Sequence, residues 1–202
     1  GLVGLVETGV GLIPAAGGTK EMLLRAVSQL PTPRADLLPF VQRAFETIGF
    51  AKVSTSAAHA RDIGYLREVD AVSMNRSRLV HDAKMLALER VRQGYSKPVP
   101  PTAIPVGGES LLAALHLGVH LAWRGGRISD HDAAVARKLA HVLAGGALPH
   151  AALVSEAYLL DLEREAFLDQ VDVGRVDQGV GQRDTAEVEE RAQRVPAAGA
   201  TG

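Results

Sequence analysis

The chain has 202 residues, with 22 basic and 23 acidic side chains and no cysteine. Balanced charge gives no electrostatic reason to expect nucleic acid or an anionic membrane as partner, and the lack of cysteine excludes disulfides and thiolate metal sites. A length near 200 allows one or two domains with a real core, no apolar run reaches the roughly eighteen residues that span a bilayer, and the N-terminus lacks a signal-peptide pattern. A cytoplasmic location is the expectation. The chain begins at Gly1, inside an apolar run and without an initiator Met, and so reads as a piece of something longer.

The first informative stretch is Gly4-Leu5-Val6-Glu7-Thr8-Gly9-Val10-Gly11-Leu12-Ile13-Pro14-Ala15-Ala16-Gly17-Gly18-Thr19. One acid, Glu7, interrupts apolar neighbours. Leucine and valine side chains that exclude water penalise an ionised carboxylate, which suits such a group to proton transfer, although a buried structural glutamate is the commoner outcome. The glycines match neither nucleotide motif. A P-loop needs Lys before Ser/Thr, whereas here Lys20 follows Thr19, and a dinucleotide fingerprint starting at Gly9 and Gly11 would need glycine where Pro14 stands. A tight connection, with Thr19 capping the next helix, accounts for them.

From Thr19 a helical pattern runs to about Leu30, where Pro31-Thr32-Pro33 stops it. Phe40, Val41, Ala44, Phe45 and Ile48 recur at helical spacing and predict an amphipathic helix. Ser56 caps a short helix over Ala57 to Ile63, which Gly64 ends in the left-handed manner. Tyr65-Leu66 and Ala71 to Met74 read as strands or extended connections. Asn75 or Ser77 opens a longer helix, with Leu79, Val80, Ala83, Leu86, Ala87 and Val91 on one side, closed by Gly94. Four prolines between Tyr95 and Gly108 forbid a continuous helix or a central strand and mark the best internal boundary. Three helices follow, from Ser110 to Trp123, from Ser129 to Ala144 and from Ser155 through Phe167, with acids near their starts. From Asp169 to Gly202 the composition cannot bury much surface, which predicts a disordered tail.

Other candidates are weaker. His116 and His120 lie four apart on one helical face but have no third ligand in view, so no metal is expected. Asp130-His131-Asp132 reads as a solvated helix start, and Glu163-Arg164-Glu165 as a solvated face. Trp123 reads as core or interface. Ser155 and His150 lack a Gly-x-Ser-x-Gly elbow, which argues against a serine hydrolase.

The run from Gly4 to Thr19 resembles the Pro-Glu-x-x-x-Gly-x-x-Pro-Gly-x-Gly-Gly-Thr segment of the crotonase, or enoyl-CoA hydratase/isomerase, superfamily. Val before Glu7 and Lys-Glu-Met after Thr19 are similar to one subgroup, the long 3-hydroxyacyl-CoA dehydrogenase proteins with an N-terminal NAD-binding part and a C-terminal crotonase-like part. Ala51 to Ala57, Gly64-Tyr65-Leu66, Met74-Asn75-Arg76 and Leu153 to Glu165 agree in order, so the resemblance covers about residues 1 to 168. It implies an α/β fold, with a partial crotonase-like spiral sheet and flanking helices over 1–96; composition and helix punctuation add a Pro-rich linker over 97–109, an all-helical region over 110–168 and the tail over 169–202. It implies that Glu7 is the catalytic glutamate that exchanges a proton with the substrate α-carbon as water adds to a 2-enoyl-CoA. Pro14, Gly17 and Gly18 fall on the substrate-binding bend.

The substrate and partner so implied is an acyl-CoA thioester in fatty-acid β-oxidation. NAD belongs to the parent protein and no cofactor to this piece, and a homo-oligomer or an upstream dehydrogenase domain are the further partners to consider. The family's second glutamate and half of its oxyanion hole fall before Gly1, so the isolated piece is expected to be inactive. Ala15 replaces a family glycine. An enoyl-CoA isomerase, or a non-catalytic helical module for assembly or acyl-CoA binding, are the alternative readings.

Overall fold

A computed structural model of the chain describes residues 1–32 and 34–176. These are mostly helical, with two small two-stranded antiparallel sheets, and no larger spiral sheet forms among the described residues. Strand β1 (Val3–Gly4) pairs with β2 (Val53–Ser54), and β3 (Ile104–Val106) pairs with β4 (Ala152–Val154). The helices are α1 (Gly18–Val27), α2 (Leu38–Gly49), α3 (Ala57–Asp62), α4 (Leu79–Arg92), α5 (Gly108–Arg124), α6 (Asp130–Ala144) and α7 (Glu156–Val176). None is long and apolar enough to cross a membrane among the described residues.

Helix α6 is central: α1, α2, α5 and α7 all pack on it. Its second half, Leu139 to Ala144, is buried apart from His141, which is half-buried. Its ends are fixed locally. Ser129 accepts from the Asp132 amide while the Asp132 carboxylate accepts from the Ser129 amide, a reciprocal capping box that satisfies two otherwise orphaned donors. At the other end Gly145, at φ +82°, turns the chain so that the amides of Gly145 and Gly146 close on the carbonyls of Val142 and His141.

The proline-rich stretch behaves differently from the expectation of a plain connection. It contains β3, with Pro105 opposite Leu153. A two-stranded sheet has only edges, so a missing ladder donor is tolerated there. Ile104 and Val106 alternate into the core, which also takes Ile13, Leu23, Val41 and Ile48 from the first half of the chain and Leu115, Leu139, Leu143 and Leu159 from the second. The two sides of this stretch therefore share one core. Helix α7 continues through 169–176, beyond the point where composition alone starts the tail, while residues 177–202 lie outside the described residues.

Candidate functional site

Glu7 opens a short 3-10 turn, Glu7–Val10, that Gly11 ends at φ +84°. The side chain is half-buried, and its Oε2 is buried with no hydrogen-bond partner among the described residues. A buried polar atom without a partner costs on the order of 1–3 kcal/mol. The same segment exposes Leu2, Val3, Val6 and Val10, and β2 and the end of α2 add Val53 and Phe50. The carboxylate thus stands beside an uncovered apolar surface.

Three side chains from other parts of the fold, together with Thr8 of the segment itself, hold the stretch that carries it. Tyr65 accepts from the Leu5 amide at 3.0 Å and donates to the Lys52 carbonyl at 2.9 Å. Burial pushes the Tyr65 hydroxyl up from its ordinary value; the Leu5 amide opposes this, and the negative charge of Glu7 adds to it. Thr8 donates to the Ile48 carbonyl at 2.7 Å. His131, in the first turn of α6, places Nε2 3.1 Å from the Gly11 carbonyl, an arrangement that requires the hydrogen on Nε2. Gln170 on α7 accepts from the Ile13 amide at 2.8 Å.

The bend that follows is gripped still more firmly. Glu163, only 1% exposed, accepts from the Gly17 amide at 2.6 Å and from the Lys20 amide at 2.8 Å. It fills the positive N-terminal end of α1 with an internal carboxylate, the kind of place where an external anion would otherwise sit. Burial raises the Glu163 carboxyl above the usual range, opposed by these amides and by Lys20. Lys20 is itself buried, with Nζ 2.6 Å from both Glu21 and Glu156. Pro14 is buried and accepts from the Thr19 hydroxyl at 3.1 Å, and Gly18 packs so closely on Leu5 and Pro14 that a Cβ there would lie 3.1 and 3.2 Å from them. The left-handed positions are Ala16, at φ 58°, and Gly17, at φ 93°. The strain therefore falls on Ala16 and not on Ala15.

Glu156, Glu163 and Gln170 are seven residues apart on α7 and contact Lys20, the Gly17 and Lys20 amides, and Ile13 in turn. Two helical turns separate successive members, so they form one polar stripe facing residues 13–20. Reading Glu163 as part of a solvated face misses this stripe. The recurrence of acid, acid and amide at intervals of seven is the signal that could have found it. His131 likewise belongs to a contact and not only to a solvated helix start.

The remaining candidates are placed elsewhere. His116 is half-buried with its Nε2 unpartnered among the described residues, while His120 lies beside the Trp123 ring at 5.8 Å between centroids. No group of three or more His, Asp or Glu that could hold a metal occurs among the described residues. Trp123 donates to Asp130 at 2.6 Å. Ser155 accepts from the Tyr158 amide as a cap on α7. Two surface grooves, one between α1 and α2 and the other between α5, α6 and α7, include none of Glu7, Pro14, Gly17 or Gly18.

The chain is 45% identical over 166 residues to a probable 3-hydroxyacyl-CoA dehydrogenase of Bacillus subtilis (strain 168). The aligned part is 82% of this chain but 20% of that protein, so the chain spans about a fifth of the length of the relative it matches. No family model matches the chain, and no solved structure matches it. By sequence, this chain is similar to one portion of a 3-hydroxyacyl-CoA dehydrogenase.

Proposed function

We propose that the chain is one portion of a longer fatty-acid β-oxidation enzyme of the 3-hydroxyacyl-CoA dehydrogenase kind, and that it contributes Glu7 to a crotonase-like hydration site completed by other residues of that protein. The observation that carries this reading is Glu7 itself: a half-buried carboxylate with one buried oxygen left unpaired, beside uncovered apolar surface. In this reading the spiral sheet, the water-activating carboxylate and the donors for the thioester oxyanion lie outside the chain. An acyl-CoA thioester lies along the apolar surface. Glu7 gives a proton to the α-carbon as hydroxide from water bonds to the β-carbon, and the second carboxylate takes the proton that water releases. Pro14, Gly17 and Gly18 shape the wall of this site by holding the bend after Glu7.

The residues present do not fit NAD. Of the two glycine-rich helix starts among the described residues, that of α1 has its Gly17 and Lys20 amides taken by Glu163, and that of α5, at Gly107-Gly108, packs on the Leu148 carbonyl, which accepts from the Glu109 amide; neither leaves an opening for a pyrophosphate. Hydride transfer accordingly belongs to another part of the longer protein.

The test is Glu7→Gln in the complete protein. Hydration of crotonyl-CoA, followed by loss of enoyl-thioester absorbance, is expected to fall about 10²–10⁴-fold, the usual range for losing a general acid or base. NAD reduction with a 3-hydroxyacyl-CoA should be unchanged. Undiminished hydration in the variant sinks the assignment of Glu7, and a shifted double bond without added water, seen by NMR, replaces hydration with isomerisation.

A further inference from the structure

Helix α4 carries an apolar stripe that nothing among the described residues covers. None of its residues is buried, and no residue between 67 and 103 belongs to the core cluster of the described residues. Val80 is 82% exposed, Val91 71% and Leu79 54%, with Leu86 on the same broad stripe; Met85 and Leu88 are exposed on the opposite side. An isolated helix of about fourteen residues is marginal in water, and most helices are held by the face they bury. The exposed pairs Arg78–Asp82 and Arg92–Glu89 contribute little. A helix of this composition is built to be enclosed.

Charge narrows what encloses it. Arg76 and Arg78 precede the helix and Arg90 and Arg92 end it, while Arg76, Lys84 and Arg90 have no carboxylate partner among the described residues. An antiparallel copy would set the arginines of one end against those of the other, and a parallel copy would set each against itself. A second copy therefore meets repulsion at both ends. A membrane surface needs apolar and charged faces to be segregated, which Met85 and Leu88 opposite the main stripe do not allow. The complementary surface is a protein groove, apolar along its floor and rimmed by carboxylates.

We infer that α4 seats this chain on the remainder of a longer polypeptide, through such a groove in the part that has no counterpart here; in the Bacillus relative that part is four-fifths of the length. The inference rests on the portion of the proposed function that makes the chain one piece of a longer protein, and not on the chemistry of Glu7. Hydrogen exchange of residues 79–92 in the complete protein and in the 202-residue chain tests it. Exchange about 100-fold slower in the complete protein is expected, because docking replaces local opening by a far rarer event. Val80→Glu in the complete protein should restore fast exchange, and Lys84→Glu, which lies beside the apolar stripe, should speed it about tenfold by removing a rim contact.

Equal exchange in the two proteins overturns the inference. So does protection of the isolated chain that grows with its concentration, which assigns a second copy. Protection of the isolated chain that appears only with phosphatidylglycerol vesicles assigns a membrane and overturns it too, as does a reading frame that encodes nothing beyond this chain. Dehydrogenase turnover measured on the same preparation separates the two proposals. Turnover without protection sinks the docking alone, and protection without turnover sinks the functional reading alone.

Discussion

Glu163 shows how a single buried charge organises its surroundings. Both of its oxygens accept backbone amides at the start of α1, so replacing it with Gln puts an N–H against an N–H and leaves one buried donor unpaired. Glu163→Gln should destabilise the fold by about 2 kcal/mol in urea unfolding. Lys138→Gln, which removes the exposed Lys138–Asp169 pair, should cost well under about 1 kcal/mol. Similar costs for the two would mean that the Glu163 contacts carry no special weight. The partial burial of Glu7 agrees with its place in the sequence, an acid between valines and leucines. The burial of Glu163 was not legible there, because an acid among charged neighbours on a helix looks the same whether it meets water or a partner more than 140 residues away.

At the level of elements, the helices were the readable part. Ser56 and Ser129 cap the helices that their positions announced, and Gly64 and Gly145 take the left-handed angles expected after helix ends. Strands of two or three residues carry too little periodicity to be recognised, and proline within β3 points away from a strand at all. Close approach is equally silent in sequence. A Cβ on Gly145 would lie 2.5 Å from the Cβ of Val106, so the turn after α6 and strand β3 are in contact through a missing side chain. Gly145→Ala should therefore cost about 3 kcal/mol, combining left-handed strain with overpacking. Gly126→Ala, at φ +68° with nothing within 4 Å, should cost about 1 kcal/mol from strain alone. Thermal midpoints of the two variants decide this, and equal shifts would remove the contact with β3 from the account.

Over the whole molecule, the sequence reading places a boundary at the prolines, whereas the packing runs across it. Composition reports where regular structure pauses. It does not report whether the pieces on either side bury the same surface. Because α6 is shared by α1, α2, α5 and α7, urea transitions followed by Trp123 fluorescence and by amide exchange within α2 should have one midpoint. Two separate midpoints would mean independent halves. What the sequence could not disclose at this scale is that Glu7 lies beside, and α4 presents, apolar surface that the described residues do not cover.

The stripe of Glu156, Glu163 and Gln170 carries a consequence for chain length. Adding or deleting one residue inside α7 turns everything beyond it by about 100° around the helix axis. An insertion between Glu156 and Glu163 would swing the latter two away together, stranding the amides of Ile13, Gly17 and Lys20 at once. The register of α7 is thus a ruler for the bend after Glu7, and length changes are affordable in the connections around it but not within it.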